Sequence, residues 1–302
     1  LGAHLLAHPP QAVVIEYIRL SYLRLAPAMP ALTIIDTHDV MSLRSQNFRR
    51  FGQDHFIQIS TSEELRILSA FAIVLAIQPM EARWLEALLP GRVILAPHAV
   101  PPLPRARGAS ASGRVRVGFL GGNSPMNQHG LRWLVDQVWP AVDHLGAELH
   151  IAGGVSDSTP PHPGVTAHGE VKDGHAFLDS LDIAVNPVVF GGGLKIKTVE
   201  YLCRGLPSVL TAEALYGISG GAGHAYVLAR DRAEFTVALD TLIRDPGLRA
   251  RIGETAFAFG RRHFGAAALA PAIRTVASLA RGIPEPWQAR EARAVGAMTA
   301  VR

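Results

Sequence analysis

From Val115 onward, short apolar runs and helical stretches alternate without interruption, and no other feature constrains the fold as much. The runs Val115–Leu120, Glu148–Ala152, Val165–His168, Ile183–Pro187, Ser208–Thr211 and Ala225–Ala229 read as strands. Among them, His129–Leu145, Gly174–Ser180, Leu194–Cys203, Arg232–Arg244 and Pro246–His263 read as helices, with Pro140 expected to end or kink the first. A chain that keeps returning to a strand through a helix lays down a parallel sheet covered on both faces. Residues 106–265 are therefore expected to form a doubly wound α/β domain.

Residues 1–105 carry a weaker version of the same pattern. Strands are expected at Ala12–Ile18, Leu32–Thr37, Phe56–Ile59, Ile73–Ile77 and Arg92–Ala96, with helices at Glu63–Ser69 and Pro79–Leu89. The two halves meet at Pro101–Gly113 (PPLPRARGASASG), whose composition is that of a linker. No strand with a Gly-rich turn precedes Gln11, and the chain opens on Leu1, so the first domain is expected to be incomplete, truncated at its N-terminal side. Residues 266–302 form an Ala- and Arg-rich tail, expected to be helical to about Arg281, before Pro284 and Pro286, and to pack back on the first domain.

Of the 302 residues, 48% are hydrophobic and 18% charged, as in globular proteins. The longest apolar run, Ala70–Ile77, falls far short of the ~20 residues a membrane-spanning helix needs. Cys203, the only cysteine, excludes an intrachain disulfide and suits a reducing cytoplasm. A net charge of +4 is compatible with an anionic ligand, a membrane surface, nucleic acid or a merely soluble exterior. Basic residues are not interleaved with stacking aromatics, so no nucleic-acid module is recognisable.

The segment with most chemical content is Asn186–Leu210, NPVVFGGGLKIKTVEYLCRGLPSVL. A strand ends, three glycines follow, and a helix begins. Glycines let backbone approach a ligand, and the amides of a helix's first turn point outward, which suits a diphosphate. Lys195 and Lys197 place positive charge where a helix start favours negative charge, so an anion is expected to offset them. Glu200 shares a helix face with Lys197 and could accept hydrogen bonds from a ribose diol. The competing reading is a Lys197–Glu200 surface pair beside a Gly-rich loop. A second Gly-rich turn, Gly118–Asn123, ends the first strand of the same domain. It is not GxGxxG and lacks the acidic residue a nicotinamide site requires, which sets a Rossmann-type oxidoreductase aside.

The 13 histidines form no metal constellation, and no metal is expected. His4 and His8 have helical spacing without a carboxylate partner, and His162 and His168 flank a Pro/Gly turn. His38 stands apart, lying in Asp36-Thr37-His38-Asp39 directly after a strand, where either aspartate could orient its ring. Cys203, in an apolar helix, reads as core.

FGGGxKxKxxExxxxGxPxV, the strand start VGFLGG and the HGEVKD turn before IAVNP together resemble the C-terminal domain of the family 4 glycosyltransferases. The resemblance spans about Val115 to Phe264. It extends more weakly to IIDTHDVMSLR, ISTSEEL and VILAPHAV in the first half. It implies a GT-B fold, two Rossmann-like domains facing across a cleft, with the nucleotide-sugar donor held by the second. In that family Glu200 would bind the ribose hydroxyls, and Gly191, Gly192 and Gly193 would line the phosphates and sugar. Lys197 would neutralise the diphosphate, with Lys195 in a lesser role, and Val171 would lie near the base. Gly121 and Gly122 would face the donor across the cleft, and His38 matches a histidine near the donor sugar. Many relatives carry a glutamate at the position of Gly192, so this FGGG variant leaves the donor sugar open.

The resemblance implies a retaining transfer from a UDP- or GDP-linked sugar to a glycan or lipid-linked acceptor, with no cofactor. It also implies a role in surface polysaccharide or glycolipid assembly, in the cytoplasm or at an anionic membrane face. The alternative is a non-catalytic relative that binds nucleotide sugar or a partner.

Overall fold

The computed structural model describes residues 1–103 and 113–282, so most of the Pro101–Gly113 stretch and residues 283–302 lie outside the described residues. The chain divides into two compact units. One comprises Leu1–Ser42, Ile59–Pro97 and the chain from Leu269 on; the other comprises Leu43–Gln58 and His98–Ala268. Residues 43–58 thus cluster with the second unit, although sequence order assigns them to the first.

In the first unit a short helix, α1 (Gly2–Ala7), precedes a four-stranded sheet. Its strands β1 (Ala12–Glu16), β2 (Leu32–Asp36), β3 (Ile73–Ala76) and β4 (Val93–Leu95) lie in that order and are all parallel. Leu32, Ile34 and Ile73 form a buried cluster against Val276 and Ala280 of the helix Ala266–Arg281. Helices α3 (Thr61–Leu68) and α4 (Pro79–Leu88) connect the strands, and α2 (Met41–Arg50), which follows β2, clusters from Leu43 on with the second unit. Helix α3 starts on a capping box: Glu63 N donates to Ser60 Oγ, and Ser60 N donates to the Glu63 carboxylate. Pro79 and the Gln78 side chain open α4.

The segment Phe56–Ile59 is not a strand. Its backbone bonds to side chains instead of a ladder: Ile57 O accepts from Ser45 Oγ at 2.5 Å, and Ile57 N donates to His55 Nδ1 at 3.2 Å. The expected strand Ala12–Ile18 stops at Glu16 and passes into a 3-10 helix, Ile18–Leu25.

The second unit is built on six parallel strands in the order β10-β9-β8-β5-β6-β7. They are β5 (Val115–Leu120), β6 (Ala147–Ala152), β7 (Val165–Ala167), β8 (Ile183–Asn186), β9 (Ser208–Thr211) and β10 (Val227–Ala229). Helix α5 (Pro125–Trp133) continues through a π turn, Leu134–Val138, into a 3-10 turn, Trp139–Ala141. Pro140 thus falls where the helix tightens and ends, one turn earlier than the Leu145 expected from sequence. Helices α6 (Gly174–Asp179), α7 (Ile196–Cys203), α8 (Arg232–Arg244) and α9 (Pro246–Phe264) follow, and α10 (Ala266–Arg281) belongs from Leu269 on to the first unit. Asp173, Asp231 and Asp245 cap α6, α8 and α9 by accepting from first-turn amides.

Strand alternation sorts the core. Val117, Phe119, Leu149, Ile151 and Val185 pack with Leu131 and Trp139 on one side and Phe235 and Leu239 of α8. Gly118 and Leu120 face the opposite way, toward Leu181 and Gly174 at the ends of α6.

Candidate functional site

The strand order reverses between β8 and β5, and the two Gly-rich turns leave the carboxyl ends of those two neighbours. Open parallel sheets leave a crevice at such a switch point, because the chains on its two sides turn away from each other. Gly121, Gly122, Gly191, Gly192, Gly193, Lys195, Lys197 and Glu200 all belong to the second unit and gather around this point.

The β8 turn has a backbone that needs its glycines. Gly191, Gly192 and Gly193 have φ of 131°, 62° and 68°. A Cβ on Gly192 would also stand 3.3 Å from Arg44 Cα, so a side chain there meets backbone as well as an unfavourable torsion. Two neighbours hold the loop: Gly191 N donates to Asn47 Oδ1 at 2.7 Å, and Gly192 N donates to Glu213 Oε1 at 2.6 Å. Phe190, just before it, is buried against Phe48 and Phe51.

On the β5 side, Gly121 faces α7 closely, since a Cβ there would lie 3.1 Å from Lys197 Nζ. Behind it, Gly153 (φ 83°) packs on the same turn, where a Cβ would lie 2.5 Å from Gly121 O. Gly154 would meet the Glu170 carboxylate and Asn123 N, which places the His168–Val171 loop beside the Gly122–Asn123 turn. Gly153 N donates to Gly169 O at 2.8 Å and completes that link.

Lys197, in the first turn of α7, is partly buried. Its ammonium donates to Asn127 Oδ1 at 2.8 Å and stands 4.3 Å from the centre of the Phe119 ring. Asn127 is oriented by its own Nδ2, which donates to Gly122 O at 2.9 Å. Burial, and then the nearby Lys195, pull the Lys197 pKa from 10.5 down to about 7, against an opposing pull from Glu200. A lysine so placed gains most from an incoming anion, which supplies the charge its surroundings lack. Glu200, one turn further along, has its carboxylate 4.0 Å from His175 Nε2 at the start of α6.

Lys195 is arranged differently. It caps α7 with its side chain turned inward, and its Nζ donates to Gly192 O, Gly193 O and Glu213 Oε1 at 2.7, 3.0 and 2.8 Å. Cys203 is fully buried, and burial pushes its thiol up to about 11.

His38 lies in the first unit, exposed, on a turn with φ of 60°. Its amide donates to Asp36 Oδ1 at 3.2 Å, and its ring lies 5.5 Å from that of Tyr17. Two buried carboxylates hold the residues that follow. Glu64 accepts from Met41 N and Ser42 N at 2.7 and 2.8 Å, and Glu81 accepts from Val40 N. Burial, with Asp39 alongside, raises the Glu81 pKa from 4.5 to about 8.

Sequence reasoning missed Asn127, Asn47 and Glu213, which hold Lys197 and the Gly loop. Each acts across a long sequence separation, and none sits in a spacing that marks it. Among the described residues no group of three or more His, Cys, Asp or Glu could hold a metal ion, and no helix is long and apolar enough to cross a membrane.

Residues 114–245 match the family described as Glycosyl transferases group 1. No curated protein matches the chain by sequence. Among solved structures, TarM superposes with a TM-score of 0.65 at 12% identity, covering 88% of this chain and 55% of its own. The sucrose-phosphate synthase of Thermosynechococcus elongatus gives 0.70 at 14% identity, with coverage of 91% and 75%. HepE of Anabaena, solved with UDP and glucose, gives 0.64 at 14%, with coverage of 91% and 80%. This chain therefore spans just over half the length of TarM and about three quarters or more of the other two. The fold is that of the GT-B glycosyltransferases, with two parallel-sheet, Rossmann-like units.

Proposed function

We propose that this GT-B chain, matched over residues 114–245 by the glycosyl transferases group 1, moves a sugar from a nucleotide-diphosphate donor to a glycan or lipid-linked acceptor. The observation that carries the reading is the convergence of Gly121, the Gly191–Gly193 loop, Lys197 and Glu200 at the carboxyl ends of β5 and β8. The family match over this same region supports it, as do the UDP and glucose bound to HepE.

Breaking the bond between the sugar and the diphosphate leaves negative charge on the departing phosphate. The Lys197 ammonium and the first-turn amides of α7 stabilise that charge before and during bond breaking. Glu200 accepts the ribose hydroxyls, and Val171 borders the base. Protein cations and amides carry the electrostatic work, so transfer runs without a metal. The reaction retains the anomeric configuration, the donor is UDP- or GDP-linked, and the product enters surface polysaccharide or glycolipid at an anionic membrane face; the similar fold of WaaG, a glycosyltransferase involved in lipopolysaccharide biosynthesis (TM-score 0.61, 13% identity), supports this pathway.

Donor turnover by the full-length protein, followed by NMR with a panel of UDP- and GDP-sugars, tests this. Lys197→Ala and Glu200→Ala are expected to lose turnover, and the product should keep the donor's anomeric configuration. Wild-type turnover in either variant would refute the assignment. Tight donor binding without transfer to any acceptor would favour a non-catalytic donor-binding protein instead.

A further inference from the structure

We propose that Lys195 and Glu213 are positioning residues, a buried ion pair that sets the shape of the Gly191–Gly193 loop without itself touching the donor. This rests on the reading of that loop as the donor site. A lysine at the mouth of a Gly-rich turn would ordinarily be taken for a phosphate ligand. Here its three hydrogen bonds, to Gly192 O, Gly193 O and Glu213 Oε1, match the three N–H donors of an ammonium. The residue is also only 4% exposed.

Glu213 Oε1 accepts from Gly192 N as well, so the pair grips Gly192 at its amide and at its carbonyl. That grip matters because Gly192 and Gly193 sit in the left-handed region, which glycine enters and leaves freely. Glu213 is itself fixed. It opens the 3-10 turn Glu213–Leu215 just after β9, where Thr198 Oγ1 donates to Ala214 O at 2.9 Å and Ala214 N donates to Thr211 Oγ1 at 3.1 Å. Asn186 at the end of β8 donates to the same Thr198 hydroxyl at 3.0 Å. One bonded chain thus ties the end of β8, the start of α7 and the turn after β9 to the loop between them.

A brace and a direct ligand answer differently to paired mutation. Removing one member of a buried ion pair strands the other's charge, and removing both relieves it. Donor affinity and urea unfolding are measured for wild type, Lys195→Met, Glu213→Gln and the double variant, with far-UV circular dichroism as the folding control. Each single variant is expected to weaken donor binding about 10-fold or more, and the double variant to bind at least about threefold more tightly than Lys195→Met. A double variant as weak as Lys195→Met would overturn the proposal, because Lys195 would then touch the donor itself. So would single variants that lose stability while keeping wild-type donor affinity, since the pair would then support the fold and not the loop. If wild type binds no nucleotide sugar, the donor reading fails. The unfolding midpoints then still judge the brace, and additive effects of the two substitutions would overturn it.

Discussion

Replacing Lys197 by methionine should make the donor-free protein more stable while removing its hold on the donor. Moving a lysine pKa from 10.5 to about 7 corresponds to about 5 kcal/mol of disfavoured charge. Partial exposure of the side chain screens this to about 3 kcal/mol. Methionine fills the same volume against Phe119 without the charge, but leaves Asn127 Oδ1 without its donor, at a cost of about 1 kcal/mol. The net gain at pH 7 is about 1–2 kcal/mol, read as a higher urea midpoint.

The sign follows from proton counting. Below pH 7 folded and unfolded chains both hold the proton, and the buried charge costs its full amount. Between about 7 and 10.5 the folded protein has lost the proton and the unfolded chain has not, so wild-type stability rises with pH and the advantage of the variant shrinks. Donor binding should move the other way. The variant should lose about 2–4 kcal/mol of affinity, roughly 30- to 1,000-fold, and wild-type affinity should fall as pH rises above about 7. A destabilised donor-free Lys197→Met protein, or one that binds nucleoside diphosphate as wild type does, would refute this reasoning.

Glu81, held near 8, keeps a proton between pH 4.5 and about 8 that the unfolded chain has released, so its contribution to stability declines as pH rises through that window. Glu81→Gln should therefore match wild type near pH 4.5 and be more stable by about 1–3 kcal/mol at pH 8.5 in urea unfolding, and an unchanged pH dependence would count against it. Gly153→Ala places a Cβ 2.5 Å from Gly121 O at a positive φ, and should cost at least about 2 kcal/mol and weaken donor binding with it. Asn47→Ala strips Gly191 N of its acceptor and should cost about 1–2 kcal/mol, visible as faster hydrogen exchange at that amide.

What sequence revealed, and what it hid, divides along the range of the interactions involved. The central strands of the second unit were legible because β8 and β9 are short runs buried along their whole length and β5 is apolar but for Arg116, and Val115–Leu120 and Ser208–Thr211 match to the residue. Helix α2 was not legible. It has no acidic residue in its first turn, and its leading amides at Met41 and Ser42 are satisfied by Glu64, which arrives from α3. The Phe56–Ile59 run had strand composition, yet Ser45 and His55 took its backbone partners first.

The candidate site shows the same division. Gly191–Gly193, Lys197 and Glu200 could be found because a strand end, glycines and a helix start follow one another in the chain. The split between the two lysines could not. Lys195 turns inward to Glu213 and Lys197 toward Asn127, and both partners are brought by other strands' connections. Two lysines only two residues apart therefore take different environments that no local spacing encodes.

The most direct test of the donor site is calorimetric titration of the protein with UDP, GDP and their sugar conjugates, in wild type and Glu200→Ala. The expected result is saturable binding of one nucleotide class by wild type, weakened about 10-fold or more in the variant through loss of the ribose contacts. Absence of binding to every nucleotide, or equal affinity in the two proteins, would contradict the assignment of this crevice to a nucleotide-sugar donor.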